Sequence, residues 1–459
     1  MQADARNPPT PWRPITAMAL GTVLNPLNSS MIAVALVVLG RDFGVSIASV
    51  TWVVSAFYLA AAAGQPLMGR IADLIGPKRI FIAGMVLVAV VGVTAPFAPN
   101  FVVLVGFRVL QAIGTSVAYP SAMAMLRVLE RGAPRGSGRG LAAVATANTL
   151  GAAIGPVLGG VLVAVAGWQA LFWVNVPLAL AAVATILLWG PADPEVRRGT
   201  ARTLLAELDP PGVVLFTLGL VALLSFLLGL TDPGRLWLLP AALALLAGFV
   251  WWELRAARPF IDVRTLVANR SLLGTYAQFA AFNLVYYGAF YGLPQWLESG
   301  RGYAADQAGL LVLPIALLGA LLTPVAARLI ARYSVWHALV LGSGALLLGS
   351  GSLLLFNAAT PVVLILAGCA LLGVPFAFNN LGLQSAMYAS ARRAEVGTAA
   401  GLFQTARYLG AILSTSVLGL LFSDHIGAGE LHQVSYLMIG MTVLLCVVSV
   451  VSRRGCRSS

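Results

Sequence analysis

The sequence predicts an all-α integral membrane protein with fourteen transmembrane helices. Hydrophobic residues make up 59% of the 459 positions and charged residues only 10%, and the mean hydropathy is +0.90. This composition is too apolar for a soluble fold. Many apolar runs reach the roughly 20 residues that a helix needs to cross a bilayer, whereas barrel strands would alternate over about ten. Helices satisfy their own backbone polar groups in such runs, so we expect helical spans throughout.

Length and hydropathy place each span to within a few residues. The connections are short, so no soluble domain is expected between the spans. The expected spans lie near residues 13–39, 48–68, 79–97, 101–126, 140–165, 169–190, 210–230, 235–253, 271–297, 306–329, 336–356, 360–387, 396–422 and 432–452.

The formal charge of +12 is a topology signal rather than a nucleic-acid signal. Of the 28 Lys and Arg residues, Arg41, Arg235 and Arg301 fall in the loops placed outside, and Arg108 and Arg407 fall within spans. All the others fall in segments placed inside, as the positive-inside rule requires. We therefore expect a multi-pass protein of the plasma (inner) membrane with both termini cytoplasmic and no nucleic-acid partner.

The three cysteines and the N-terminus indicate no further chemistry. The cysteines show neither Cys-x-x-Cys nor Cys/His spacing, so neither a disulfide nor a metal site is expected, and no cofactor is expected. The first apolar run is too long for the hydrophobic core of a signal peptide and should remain as the first span.

A short polar stretch, Gly69–Arg79, separates the second and third spans. Gly69 and Gly76 allow two helix ends to approach closely. Asp73 can accept hydrogen bonds from N–H groups at a neighbouring helix start or pair with Arg79. The alternative is a positively charged inner loop with no further role. The stretch resembles the signature between helices 2 and 3 of the major facilitator superfamily, which implies a role in gating or coupling.

The fifth span contains Gly151–Gly160, in which three glycines recur at four-residue spacing around Pro156. Small residues at this spacing let helices touch, and a proline bends a helix. This segment resembles the Gly-x-x-x-Gly-Pro-x-x-Gly-Gly motif of exporters in the same superfamily. Gly151, Gly155, Pro156 and Gly159 are therefore predicted to take part in gating or coupling, with plain helix packing as the alternative.

Polar residues in the first and fourth spans predict a substrate-binding cavity. Asn25 and Asn28 flank Pro26, and polar groups in hydrocarbon are costly unless they face protein or a cavity. The segment Leu27–Val37 resembles the first span of fourteen-span drug:proton antiporters, with Asn28 in place of the acid. Arg108 and Gln111 resemble the Arg-x-x-Gln-Gly motif of the superfamily. Helix packing for the asparagines and an arginine reaching for the membrane surface are the alternatives.

Polar residues also lie in the ninth, twelfth and thirteenth spans. Asn283, Tyr287 and Tyr291 recur at four residues on one helical face, which suits aromatic ligands and cations. Hydrogen bonding between helices explains any one of these residues equally well. The remaining predicted binding residues are Asn379, Asn380 and Arg407.

Carboxylates are the notable absence from the predicted spans. Proton-coupled antiport requires an acid whose proton affinity changes with access, yet Asp42 and Glu298, at outer span ends, lie nearest to the membrane. Asp42 or Asp73 could carry the proton, or the charge of the substrate could provide the coupling. Two arginines without an acid favour neutral or anionic substrates over simple cations.

The resemblance covers nearly the whole chain and implies two six-helix halves that alternate access to a midplane site. A faint internal repeat is visible, in which Gly69-Arg70-Ile71 followed by Gly84 matches Ala327-Arg328-Leu329 followed by Gly342 at the same fifteen-residue offset. We expect an N-terminal half over 1–194, a linker with an inserted two-helix hairpin over 195–262, and a C-terminal half over 263–459.

The expected function is secondary active efflux of small amphipathic drugs or metabolites, driven by protons, by a monomer in the lipid bilayer. The alternative is an exporter or facilitator for one neutral or anionic metabolite. A membrane transferase would need paired acids and a channel would need a filter-like loop, and neither is visible. No enzyme activity is expected.

Overall fold

The structure, a computed structural model, describes residues 12–129, 137–193, 207–230, 232–422 and 426–457. Within these ranges every regular element is a helix, which agrees with the all-α prediction. The chain divides into two compact units. The first comprises Met1–Thr200 with Arg392–Gly401, and the second comprises Ala201–Ala391 with Leu402–Ser459. The predicted boundary at residues 194 and 195 lies outside the described residues, and the three-part division stays a prediction.

Eleven described helices belong to the first unit. They are α1 (Trp12–Thr22), α2 (Leu24–Met31), α3 (Leu36–Asp42), α4 (Ile47–Val50), α5 (Trp52–Ile75), α6 (Pro77–Thr94), α7 (Phe101–Ser116), α8 (Ala118–Leu129), α9 (Ser137–Ala166), α10 (Ala170–Trp173) and α11 (Asn175–Trp189). The expected first span is divided: a 3₁₀ turn, Ile32–Ala35, separates α2 from α3.

The helices that follow belong to the second unit, except that the first turns of α19 lie in the first. They are α12 (Pro210–Leu227), α13 (Leu238–Glu253), α14 (Val263–Ala268), α15 (Arg270–Gln295), α16 (Ala305–Arg332), α17 (Val335–Ser352), α18 (Val362–Ser390), α19 (Val396–Leu421) and α20 (Ala428–Arg457). A π-helical turn, Trp296–Gly300, extends α15.

Both units use the same pattern of helix neighbours. In the first unit α5 packs on α7, α6 packs on α7 and α11, α1 packs on α11, and α2 packs on α9. In the second unit α16 packs on α18, α17 packs on α18 and α20, and α15 packs on α20. Gly410 of α19 lies against the Ala280 carbonyl of α15 and completes the set. If the helices of each unit are grouped into six spans, with the α12–α13 hairpin and α14 left out, the first span packs on the fifth and sixth in both units. The fourth span packs on the second and third.

The helices α12 and α13 form a hairpin within the second unit. Gly219 lies against the side chain of Leu246, and the Phe216 ring lies 5.3 Å from the Phe249 ring between centroids. Ser416 Oγ of α19 donates a hydrogen bond to the Leu227 carbonyl at the end of α12. Apolar packing thus joins the two helices of the hairpin to each other, and the Ser416 hydrogen bond joins the hairpin to α19.

The polar stretch between the second and third spans is more helical than predicted. Helix α5 continues to Ile75 and α6 begins at Pro77, so Gly76 alone connects them. Its φ of 119° is a conformation that favours glycine. The prediction of a polar connection over residues 69–79 was wrong in extent, because Ile71, Leu74 and Ile75 keep the helical i, i+3, i+4 spacing of apolar residues past the end of the membrane-spanning run.

Among the described residues, nine helices are long and apolar enough to cross a membrane, or up to ten if the bent α9 is counted as one span. The two parts of α9, Arg139–Ala152 and Ile154–Ala166, meet at an angle of 42°. The protein is therefore a multi-pass membrane protein, and the number of fourteen spans remains a prediction.

Candidate functional site

Arg108 of α7 is the central residue of a buried polar network. Only 1% of its surface is exposed. Its Nε donates to the Val53 carbonyl at 3.3 Å, Nη1 to Gln111 Oε1 at 2.6 Å, and Nη2 to the Asn28 carbonyl at 3.3 Å. The guanidinium carbon lies 4.4 Å from the centroid of the Phe57 ring. The arginine therefore lies in the protein interior, bound by groups of α2, α5 and α7.

Three amide side chains extend this network to a fourth helix, α11. Gln111 Nε2 donates to Asn28 Oδ1 at 2.9 Å. Asn28 Nδ2 donates to Asn175 Oδ1 at 2.5 Å, and Asn175 Nδ2 donates back to Asn28 Oδ1 at 2.9 Å. All three side chains are at most 2% exposed. Asn175 was not predicted as a site residue, although it is the one amide side chain of the largely apolar helix α11.

The hydrogen-bond acceptors around Arg108 are all neutral among the described residues. Val53 and Asn28 supply carbonyls, Gln111 supplies an amide oxygen, and Phe57 supplies the face of a ring. An arginine keeps its proton under ordinary conditions, so the site carries a positive charge that no hydrogen-bonded carboxylate offsets. Such a site can attract an anionic or strongly polar neutral group, but it cannot exchange a proton itself.

Asn25 lies in the same helix as Asn28 but makes a separate contact. Its Nδ2 donates to Thr115 Oγ1 of α7 at 3.1 Å, and its side chain is 5% exposed. Asn25 and Asn28 therefore both join α2 to α7, which places the predicted residues of the first and fourth spans in one buried polar layer.

The three glycines of α9 form an interface with the first span. Gly151 lies against Val23, and Gly159 lies 2.8 Å from the Met31 carbonyl when measured from an ideal Cβ. A Cβ on Gly155 would overlap Ser30 Oγ. The close approach requires all three positions to lack a side chain, as the motif predicts. Pro156, the residue after Gly155, is exposed and lies close to the bend in α9.

Asp73 binds the first turn of α19, which belongs to the first unit. Its carboxylate accepts hydrogen bonds from Gly397 N at 2.9 Å, from Thr398 N at 2.8 Å and from Thr398 Oγ1 at 2.8 Å. A Cβ on Gly69 would overlap the Gly397 carbonyl, so this glycine is needed for the approach. Of the two partners expected for Asp73, a helix start and Arg79, the structure contains the helix start.

Asp73 lies beyond the apolar run of residues 48–68, at the end of α5. Desolvation by burial raises the pKa of its carboxyl to about 6, although the hydrogen bonds from Thr398 and Gly397 and the charge of Arg70 act in the opposite direction. Its protonation therefore changes within a mildly acidic range.

Arg79 pairs with Asp193 instead. Asp193 Oδ1 accepts from Lys78 N at 2.7 Å, and Oδ2 accepts from Arg79 N at 3.2 Å and lies 3.7 Å from Arg79 Nε. Asp193 thus satisfies the free N–H groups at the start of α6, where a negative charge is favourable. Gly76 also lies against this carboxylate. Asp193 was not predicted as a partner of Arg79, because it follows the sixth span, more than a hundred residues later in the chain.

The predicted residues of α15 occupy the second unit. Asn283 is buried and donates from Nδ2 to the Phe279 carbonyl one turn earlier, at 2.7 Å. The Tyr287 and Tyr291 rings are half-buried and stack with centroids 5.3 Å apart and planes 18° apart. The two rings form a flat, partly accessible aromatic surface of the kind that binds planar groups.

The other predicted residues of the second unit lie on two different helices, α18 and α19. Asn379 is buried, with Nδ2 at 3.5 Å from Ser343 Oγ of α17. Asn380 is half-buried on the same helix, and Arg407 is half-buried with its guanidinium carbon 5.1 Å from the Tyr408 ring. All three residues belong to the second unit.

The predicted proton site, Asp42, is exposed at the end of α3, where its Oδ2 accepts from Trp168 Nε1 at 2.9 Å. Glu298 is also exposed, in the π-helical turn. Across the part of the chain that the structure describes, no group of three His, Cys, Asp or Glu residues could hold a metal ion.

The protein thus combines many apolar spans with a buried, positively charged polar network, as membrane transporters of small molecules do. The chain belongs to the Major Facilitator Superfamily, because the model of that family matches residues 18–415. This family and fold are those of transporters, not enzymes.

Two relatives and one solved structure show the extent of the similarity. The Uncharacterized MFS-type transporter YwoD of Bacillus subtilis (strain 168) is 38% identical over 94% of this chain and 96% of its own. The Tetracenomycin C resistance and export protein of Streptomyces glaucescens is 28% identical over 91% of this chain and 77% of its own. The crystal structure of the human organic anion transporter MFSD10 (TETRAN) has a TM-score of 0.68 at 18% identity and covers 96% of this chain and 100% of its own.

Proposed function

We propose that this protein exports small amphipathic drugs or metabolites by alternating access, in exchange for protons that enter the cell. In this proposal it is a monomer of the plasma membrane with fourteen spans: two six-helix repeats, an inserted hairpin α12–α13, and both termini cytoplasmic. The shared pattern of helix neighbours in the two units supports the repeat, and the position of α12 and α13 outside that pattern supports the insertion.

The observation that carries the proposed direction of transport is the glycine interface between α9 and the first span. The motif that forms it is the one that resembles exporters, and all three glycines lie in close contact in the folded chain. The name of the Streptomyces glaucescens relative, which refers to resistance and export, supports the same direction.

The Arg108 network favours a second candidate, an exporter or facilitator dedicated to one neutral or anionic metabolite. A buried positive charge among neutral hydrogen-bond partners repels cations and attracts anions. Arg108, Gln111, Asn25 and Asn28 would form one part of the substrate site in either case. The residues Asn283, Tyr287, Tyr291, Asn379, Asn380 and Arg407 would form another part.

Proton coupling is proposed to use Asp73 or Asp42. Asp73 is supported by the pKa of its carboxyl, which burial raises to about 6, while Asp42 is supported by its accessibility to water. In the second candidate function neither acid is required, because a neutral substrate would follow its own concentration gradient and an anionic substrate would also respond to the membrane potential.

A substrate-panel transport assay in proteoliposomes tests the proposal. Uptake is measured with an imposed pH gradient, then without it, for planar aromatic cations, neutral amphiphiles and aromatic carboxylates. Proton-driven export predicts gradient-dependent movement of several compounds. Movement of one anionic or neutral compound without the gradient would favour the dedicated transporter, and movement of none under either condition would contradict both.

A further inference from the structure

One end of the α12–α13 hairpin is formed by the start of α12 and the end of α13, and we call this end the corner. The acidic and basic side chains described below lie on different sides of the corner. The acids are turned inward: Asp209 is 6% exposed and Glu253 is 3% exposed. Both Asp209 oxygens accept from Trp252 Nε1, at 2.8 and 3.1 Å, and Glu253 Oε1 accepts from Ile261 N at 3.4 Å. These bonds hold the negative charge in the interior of the corner.

Two guanidinium groups lie on the outside of the same corner. The Arg255 guanidinium carbon lies 4.0 Å from the Trp251 ring, and Arg264 Nη2 donates to the Leu254 carbonyl at the end of α13. Both arginines are exposed. A third exposed arginine, Arg258, is paired with Glu207 at 3.0 Å and is therefore not assigned to the site. Arg255 and Arg264 thus flank Leu254 from two sides.

An apolar stripe leads directly to these two arginines. Leu243, Val250 and Trp251 lie on one face of α13 and are 57%, 40% and 57% exposed, and Leu254, which follows the last residue of α13, is 39% exposed. Only 17% of the α13 span is buried, the lowest share among the described spans. In a bilayer this face contacts acyl chains, so the arginines lie where the apolar face ends, at the depth of the headgroups.

We propose that this corner is a binding site for an anionic phospholipid. The phosphate would bind between the Arg255 and Arg264 guanidinium groups, and one acyl chain would lie along Leu243, Val250 and Leu254. Charge complementarity selects the occupant, because Arg255 and Arg264 are exposed, whereas Asp209 and Glu253 are buried. The other two acids of the corner are already engaged: Glu207 is paired with Arg258, and Asp262 accepts from Thr265 N at the start of α14. Guanidinium groups bind phosphate oxygens through paired N–H donors, and an arginine held on an indole ring is already ordered for such a contact. The site is separate from the proposed transport function.

Fluorescence quenching by lipids with brominated acyl chains tests the site in the full-length protein. The chain is reconstituted in vesicles of phosphatidylcholine with phosphatidylglycerol, with bromine on one lipid at a time. The signal of Trp251 is obtained by difference from the Trp251→Phe variant, because the protein contains ten tryptophans. The ratio of the two quenching curves gives the preference for phosphatidylglycerol at this position.

We expect Arg255→Gln and Arg264→Gln each to lower that preference about fivefold, since a cation near the membrane surface contributes about 1 kcal/mol. The double variant should lower it about 25-fold, and Arg255→Lys should retain part of it. Arg332→Gln is the matched control, because Arg332 is exposed beside Tyr333 at the end of α16 and should leave the preference unchanged.

Three results would overturn the proposal. One is equal quenching by the two lipids in the wild-type protein. The second is an unchanged preference in the double variant, with gel filtration and thermal unfolding as checks that it is folded. The third is a loss of preference on adding inorganic phosphate that chloride at the same ionic strength does not reproduce, which would assign the corner to a soluble anion.

Discussion

The side chains of Asn28 and Asn175 bond each other in both directions, with each Nδ2 donating to the Oδ1 of the other at 2.5 and 2.9 Å. This reciprocal amide pair joins the first span to α11 inside the first unit. It also holds Asn28 Oδ1 in position to accept from Gln111, the partner of Arg108. The pair therefore positions the arginine through a chain of neutral groups.

Replacing Asn175 by leucine should lower the free energy of unfolding by about 1 kcal/mol, because Asn28 loses a buried partner. The double variant Asn28→Leu/Asn175→Leu should be less destabilised than the sum of the two single variants, since no unpaired amide remains from the pair. Thermal unfolding in detergent measures both effects. Strictly additive losses would show that the two amides do not act together.

Replacing Arg108 by alanine should abolish transport while expression and gel-filtration behaviour stay intact. The Val53 and Asn28 carbonyls and the Gln111 amide would all lose their donor. Arg108→Lys should also lose at least tenfold in transport rate, because one ammonium group cannot reproduce the planar fork that reaches three acceptors. Initial uptake rates in proteoliposomes provide the measurement. Exposed Arg332 changed to alanine is the control, and normal transport by Arg108→Ala would remove Arg108 from the site.

Leucine at Gly155 should stop turnover, because its side chain would overlap Ser30 and separate α9 from the first span. Gly160 is the matched control. It is exposed on the same helix, and no atom lies within 4 Å of its ideal Cβ. Gly160→Leu should therefore transport normally. Equal activity of the two variants would show that the glycine interface is not needed for the transport cycle.

Asp73 should make the stability of the protein depend on pH in the mildly acidic range. The pKa of its carboxyl is raised from 3.8 to about 6 by desolvation, so the folded chain binds this proton more tightly than the unfolded chain. The contribution of Asp73 to stability therefore falls as the pH rises from about 4 to about 6, and is constant above that range. The Tm of the wild type minus the Tm of Asp73→Asn, measured from pH 4 to pH 8, should decrease between about pH 4 and about pH 6 and stay constant above pH 6. A difference that is flat or rises would contradict the assignment.

The sequence was most informative where a long apolar run or a local spacing decides the structure. The third span was predicted at 79–97, and α6 occupies Pro77–Thr94. The two agree because the length of the apolar run alone determines where such a helix begins and ends. The spacing of Gly151, Gly155 and Gly159 predicted a close helix contact, which the first span makes. The 3₁₀ turn at Ile32–Ala35 was not predicted, because none of its residues is a helix breaker by type.

The partners of Arg108 could be predicted only in part. Gln111 is one helical turn away in the same span, so its contact follows from sequence spacing. Asn28 and Arg108 were predicted to line the same cavity, because both are polar residues within apolar spans. The Val53 carbonyl could not be predicted, because a backbone acceptor has no residue type that marks it. Asn175 required knowledge of which face of α11 meets the first span, and single-helix periodicity does not contain that information.

The single-residue connection at Gly76 limits how the first unit can rearrange. With one amino acid between them and the Asp193 carboxylate against that joint, α5 and α6 have no slack to tilt independently. We therefore expect any displacement at the Asp73 end of α5 to move α6 as well, so that the two helices move together as one rigid body.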